Sequence, residues 1–218
     1  MKKYLLIYLL CALACAYAKA GNDYRKIRTD QADWSGEYLI VKEVDSLSQG
    51  IVFDGSLTDL LNKKHNCFTV QISDDCITSD AQTDAATFSI RKQADGTYTI
   101  RSQSGYYIGA EQADSASMTT KKNTPLYNTI RFESDTTTKV MIQAPGGYVL
   151  RYNADPESDR FRFYAQGKKK AIHLYKKVST TDLEEAETTE SGDLIDGRLY
   201  GLPAGIYILN GKKVFIKD

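Results

Sequence analysis

His65 and Cys67 stand two residues apart, the spacing that places side chains on one face of a strand, so an imidazole there could take the proton of a thiol. Thiol catalysis also needs a third group to orient the imidazole and a cleft to receive a substrate. No G-x-S-x-G elbow occurs, so a serine nucleophile of that kind has no local signature. His65 and His173 are the only histidines, and no H-x-x-x-H or C-x-x-C spacing offers a zinc site. His173 lies between Ile172 and Leu174 in a strand-like run and is expected to point outward. Asp155, Glu157 and Asp159 alternate as calcium ligands do, but the loop glycine and the distal glutamate are missing, and they read as a polar loop. Asp74-Asp75 reads as a turn. The expectation is a chain that is not an enzyme and uses no metal or cofactor.

The aromatic residues offer recognition rather than reaction. There are 15 tyrosines, and most alternate with polar residues in strand-like segments, which suits a Tyr/Phe core with hydroxyls at its rim. Tyr106-Tyr107 and Phe163-Tyr164 are consecutive pairs, whose members cannot both face inward. Tyr152-Asn153 sits where a strand enters the Ala154 to Ser158 loop. An exposed ring beside Asn, Asp or Arg suits the apolar face of a sugar and its hydroxyls, and suits a protein partner equally, since Tyr and Arg are hot-spot residues. Tyr107, Arg151, Tyr152, Asn153, Arg160 and Arg162 are therefore the candidate residues for a glycan or protein ligand. The competing reading of the arginines is solvated strand faces.

The elements that must hold these residues repeat. Thr87-Phe88-Ser89-Ile90, Thr129-Ile130-Arg131-Phe132 and Ala171-Ile172-His173-Leu174 recur at intervals of 42 residues. Tyr98-Thr99-Ile100 and Val140-Met141-Ile142 keep that offset, as do Gly105-Tyr106-Tyr107-Ile108 and Gly147-Tyr148-Val149-Leu150. Successive elements at one offset are repeated supersecondary units. Each alternates apolar and polar residues, and Asp95-Gly96 and Pro145-Gly146-Gly147 are turn chemistry. No amphipathic helix is expected. Gly36 to Ile40 matches the second strand of a unit and Gly50 to Phe53 the third, while 171–175 is a first strand without a partner. Pairing of 171–175 beside the stretch near Tyr38 closes the structure and removes exposed edges. The predicted fold is all-β: a β-trefoil of three pseudo-repeats of about four strands, its N- and C-terminal strands closing the barrel, plus a C-terminal β-hairpin. Extra chain from Leu57 to Cys76 is expected to form a lobe or added hairpin.

The ends carry an address. Lys2-Lys3, an apolar run from Leu5 to Ala16 and Ala18-Lys19-Ala20 read as a signal peptide over 1–20. A lipoprotein signal at Ala12-Leu13-Ala14-Cys15 is the rival reading. No other stretch is apolar enough to span a bilayer. Removal of 1–20 takes three lysines and no acid from a balance of 28 basic and 28 acidic residues, leaving a slightly acidic chain that excludes non-specific nucleic-acid binding. Of the 4 cysteines, Cys67 and Cys76 remain. Export permits a disulfide, but the turn at 73–75 does not set the two opposite each other, and two buried thiols are the preferred expectation. The body spans 24–178, an acidic linker 179–193, and a tail 194–218 in which Ile206 to Leu209 and Val214 to Ile216 flank the hairpin turn Asn210-Gly211.

These residues carry resemblances. The run FSIRKQADGTYTIRSQSGYYIGA, Phe88 to Ala110, resembles a repeat of the fascin and ricin-B-like trefoils, although the Q-x-W repeats of the ricin-type lectins are missing and Trp34 is the one tryptophan. FDGSL at 53–57, SGYYIG at 104–109, LRYN at 150–153, RFRFY at 160–164 and LYKK at 174–177 are similar to a module common in exported proteins of Bacteroidetes. Gly197-Arg198, Leu202 to Tyr207 and Asn210 to Val214 resemble the C-terminal sorting domain of type IX secretion substrates, of which only the last strands are evident here. The resemblances imply a non-catalytic binding module, exported to the cell surface or medium with the periplasm as alternative, whose tail engages the secretion machinery. Carbohydrate is the first ligand to test. The alternatives are a protein binder, such as a protease inhibitor or adhesin using Leu57 to Cys76 as its loop, and a hydrolase using Cys67 and His65.

Overall fold

A computed structural model describes residues 23–44, 47–58, 65–110, 118–165, 167 and 169–178, together with the backbone of four short C-terminal strands. The leader and nearly all of the acidic linker lie outside the described residues. Asp23–Val178 forms one compact unit. Among the described residues no helix is long and apolar enough to cross a membrane.

The unit is built from antiparallel strands that fall into three sets, of three, four and four strands. In the first set, β2 (Gly36–Val44) pairs with β3 (Gln49–Phe53), which pairs with β4 (Cys67–Gln71). In the second, β6 (Phe88–Lys92) pairs with β7 (Tyr98–Ser102), β7 with β8 (Tyr107–Gly109), and β8 with β9 (Thr119–Lys121). In the third, β10 (Tyr127–Phe132), β11 (Val140–Gln143), β12 (Val149–Asn153) and β13 (Arg160–Tyr164) pair in the same succession. The last strand of the unit, β14 (His173–Val178), lies beside β2, with Leu174 opposite Ile40 and Lys176 opposite Tyr38. Neighbouring sets join through β2–β6 and β7–β10. An isolated bridge from Val140 to Ile172, with a 2.8 Å bond from the Val140 N–H, links the third set to the residue before β14. The continuous sheet path itself has two ends, at β13 and at β5 (Cys76–Thr78).

Alternation sets the packing. Phe88 and Ile90 point into the core while Ser89 and Arg91 point away. Phe88, Ile130 and Ile172, one from each recurrence, belong to the same buried cluster. Phe53, Phe88 and Phe161 meet at its centre, with ring centroids 5.0 and 5.2 Å apart. The turns after β7 and β11 need glycine, because Gly105 and Gly147 stand at φ +88° and +84°.

Several features depart from the sequence expectation. A strand β1 (Asp23–Lys26) precedes Trp34 and lies between β14 and β5. One helical turn, α1 (Ala81–Ala85), is present, started by Asp80, whose carboxylate accepts from the Thr83 N–H. Part of the extra segment is β4, which completes the first set, and Ser73 to Cys76 is a tight turn in which Asp74 and Asp75 both take positive φ. These additions bury a second cluster on the other face of β2 and β14, formed by Tyr24, Leu39, Val41, Val52, Ile77 and Tyr175. His173 is opposite Val41 on that face and is buried, not outward. In the tail, Gly205–Leu209 pairs with Lys212–Ile216, and Asp193–Ile195 with Arg198–Tyr200.

Candidate binding clefts

The β6–β7 ladder places Ser89 opposite Arg101 and Arg91 opposite Thr99, and β2 adds Glu37 opposite Ser89. These side chains stand on the face away from the core and line a cleft of about 400 Å³ together with Gln103 and Tyr107. Arg101 is held at its base. Its Nε–H donates to the Gly105 carbonyl at 3.0 Å, and its guanidinium lies 5.4 Å from the Tyr107 ring centroid. The cleft therefore offers a carboxylate, two guanidiniums, hydroxyls and an aromatic ring.

A second cleft, of about 340 Å³, repeats one wall of the first 42 residues on, through Gln143, Ala144, Pro145 and Gly147. Gln143 takes the place of Arg101, and its Nε2 donates to the Gly147 carbonyl at 3.1 Å, as Arg101 does to Gly105. Ala144 and Pro145 replace Ser102 and Gln103 on its wall, and the exposed Tyr127 forms part of its lining. The same positive-φ glycine thus fixes the same side-chain-to-carbonyl bond in both units. Sequence reasoning singled out Tyr107 but not Arg101 or Gln143. The constant offset that aligned Gly105 with Gly147 also aligns those two, and carried the missing signal.

The other candidates sit on the β12–β13 hairpin. Tyr152 is buried against Phe161, with ring centroids 5.1 Å apart, so its expected exposure at the loop entry is corrected: register places Tyr152 and Phe161 together on the core face. Asn153 is buried and donates to the Ser158 carbonyl at 3.1 Å. Arg151 is buried and ion-paired with Glu133, while Arg160 and Arg162 are half-buried. Phe163 and Tyr164 are both buried, although on opposite faces.

His65 and Cys67 do come together, but through an acid rather than with each other. Asp159 accepts from the Cys67 Sγ at 3.2 Å and from the Tyr152 hydroxyl at 3.4 Å, and it pairs with His65 Nδ1. Burial first, then this neighbouring carboxylate, pushes the Cys67 thiol up to about 12. Such a thiol is protonated at neutral pH and is not an activated nucleophile. Both cysteines are free thiols, but they are half-buried rather than buried as expected. Iodoacetamide at pH 8 should therefore modify native Cys67 roughly 30-fold more slowly than an ordinary thiol, the scarce thiolate being partly offset by its greater nucleophilicity. Peptide mapping of the alkylated protein measures this, and an ordinary rate would contradict the half-buried Cys67–Asp159 contact.

The sequence matches no protein-family model and no curated protein. The solved structure of Cry35Ab1 is similar to the chain at 14% identity with a TM-score of 0.41, over 85% of this chain and 41% of that one, so the chain spans less than half of that protein's length.

Proposed function

We propose that the chain is an exported, non-catalytic binding module on a β-trefoil scaffold, and that it binds carbohydrate. The trefoil reading is supported by the 42-residue recurrence of Phe88, Ile130 and Ile172, by the lateral pairing of β14 with β2, and by the Val140–Ile172 bridge from the third set to the residue before β14. The observation that carries the binding reading is the repeated cleft wall, on which Arg101 and Gln143 bond to equivalent glycine carbonyls. Related sites on a rigid scaffold suit a ligand with a repeating structure, and polar groups held beside a ring suit a saccharide. The raised pKa of the Cys67 thiol supports a role without nucleophilic chemistry. In this reading the 1–20 leader exports the chain and the tail from 194 engages type IX secretion, leaving the body at the cell surface or in the medium.

A glycan array and pull-downs on insoluble polysaccharides test the proposal. Arg101→Ala should weaken binding of any ligand found by about tenfold, the loss expected for a charged hydrogen bond plus its stacking. Absence of glycan binding, or binding indifferent to Arg101→Ala, would remove carbohydrate as the ligand of these clefts.

A further inference from the structure

The first cleft carries two guanidiniums that the scaffold does not require. At the offset of 42 residues, Glu133 stands in the position of Arg91 and Gln143 in that of Arg101. The bond to the glycine carbonyl survives the change, since Gln143 makes it as Arg101 does. Both arginines are exposed on the outer face of the β6–β7 ladder, where Arg91 faces Thr99 and Arg101 faces Ser89. They are thus diagonal neighbours, with side-chain bases about 7 Å apart, within mutual reach of long side chains. Like charges so placed repel. Glu37, on the far side of Ser89, lines the same cleft but ion-pairs with neither arginine among the described residues. The Arg91 guanidinium has no partner there at all. Arg101 uses only its Nε–H, on the Gly105 carbonyl, and its contact with the Tyr107 ring, which leaves its terminal N–H groups open to the cleft.

We infer that this cleft selects an acidic saccharide containing uronic acid, whose carboxylate bridges Arg91 and Arg101 while its ring hydroxyls meet Glu37 and Ser89. Guanidinium groups match carboxylate oxygens in a forked geometry that an ammonium lacks. An ionised Glu37 can only accept hydrogen bonds, so it suits a hydroxyl and repels a second anionic group. Two guanidiniums and one carboxylate leave a single net positive charge, the complement of one carboxylate per sugar. The volume of about 400 Å³ lies in the range of small-ligand sites. The second cleft has neither guanidinium and is lined by Tyr127, Ala144 and Pro145, so the preference for a carboxylate belongs to the first cleft alone. This inference deepens the carbohydrate reading of the same cleft and rests on it.

The experiment measures binding of the full exported chain to polygalacturonate, to its fully methyl-esterified form and to polyglutamate at fixed ionic strength. Polygalacturonate should bind at least about tenfold more tightly than the ester, which keeps the sugar and loses the charge, and than polyglutamate, which keeps carboxylates and lacks the sugar. Arg91→Gln and Arg101→Gln should each weaken polygalacturonate by about tenfold. Arg101→Gln copies Gln143 and so keeps the bond to the glycine carbonyl, which separates loss of charge from loss of fold. Arg91→Gln should change binding of the ester less than about twofold. Arg25→Gln with Arg131→Gln removes two charges from exposed positions elsewhere and should also cost less than about twofold, against a far larger loss for Arg91→Gln with Arg101→Gln. Equal losses in the two double variants would mean bulk charge attraction, and polyglutamate bound as tightly as polygalacturonate would mean an acidic protein partner; either overturns the inference. Polygalacturonate bound no more tightly than its ester overturns it too, while binding of the ester or of any neutral glycan keeps the carbohydrate reading. A chain that binds no glycan at all removes both.

Discussion

Phe161→Ala should lower the unfolding free energy by about 3–5 kcal/mol, the range for truncating a fully buried phenylalanine. Phe161 belongs to the third strand set, but its ring stacks on Phe53 of the first at an interplanar angle of 11°. Phe53 in turn meets Phe88 of the second, so the ring trio joins all three sets. The backbone of the same residue is clamped. Asn66 Oδ1 accepts from the Phe161 N–H at 2.8 Å, and Asn66 Nδ2 donates to its carbonyl at 3.0 Å. Both bonds resist the backbone shift that would let the cavity collapse, which places the expected cost toward the upper end. A domain of this kind holds about 5–15 kcal/mol in all. Urea unfolding of the two proteins measures the difference, and a loss below about 1 kcal/mol would mean the ring trio is not the centre of the core.

Acidification should also destabilise the protein through His173. Burial is the main cause that lowers its pKa from 6.5 to about 4. The Glu43 carboxylate on β2, 3.7 Å away, and Glu133 oppose that shift, while Lys26 on β1 and Lys139 add to it. A histidine whose folded pKa lies below its unfolded one contributes stability in full above the unfolded value and loses it as pH falls. The unfolded chain takes up the proton first, so stability should decline between pH 6.5 and pH 4. The depression corresponds to roughly 3 kcal/mol at most. Unfolding free energies of the native chain and of His173→Gln at pH 7 and pH 4.5 isolate the contribution, because the carboxylates titrate in both. Parallel pH profiles would show that His173 charges freely in the folded state.

The repeat was legible because its strands alternate strictly and its turns need glycine. Phe88, Ile130 and Ile172 announce the core face, and Gly105 and Gly147 the hairpin ends. What remained hidden is the second layer. β1 reads Asp-Tyr-Arg-Lys, with Tyr24 alone fully buried, and its strand form comes from β14 and β5 on either side rather than from its own residues. That layer also covers the face of His173, so alternation identified the face but not its burial. Tyr152 was misplaced for another reason. Nearness to a loop suggested exposure, whereas its register opposite Phe161 decides the matter. Asp159 escaped notice as the hub of His65, Cys67 and Tyr152 because more than ninety positions separate it from the first two in the chain.

The register that sets Asp23 opposite Val178 has a mechanical consequence. Both ends of the unit emerge at the same end of one antiparallel strand pair. Tension applied to them would peel the ladder open one bond at a time instead of shearing all its bonds at once, so this protein yields to pulling far more readily than its core would suggest. The same adjacency lets a short peptide join the two ends and new ends be cut in a surface turn, or the whole unit be spliced into a loop of a host protein.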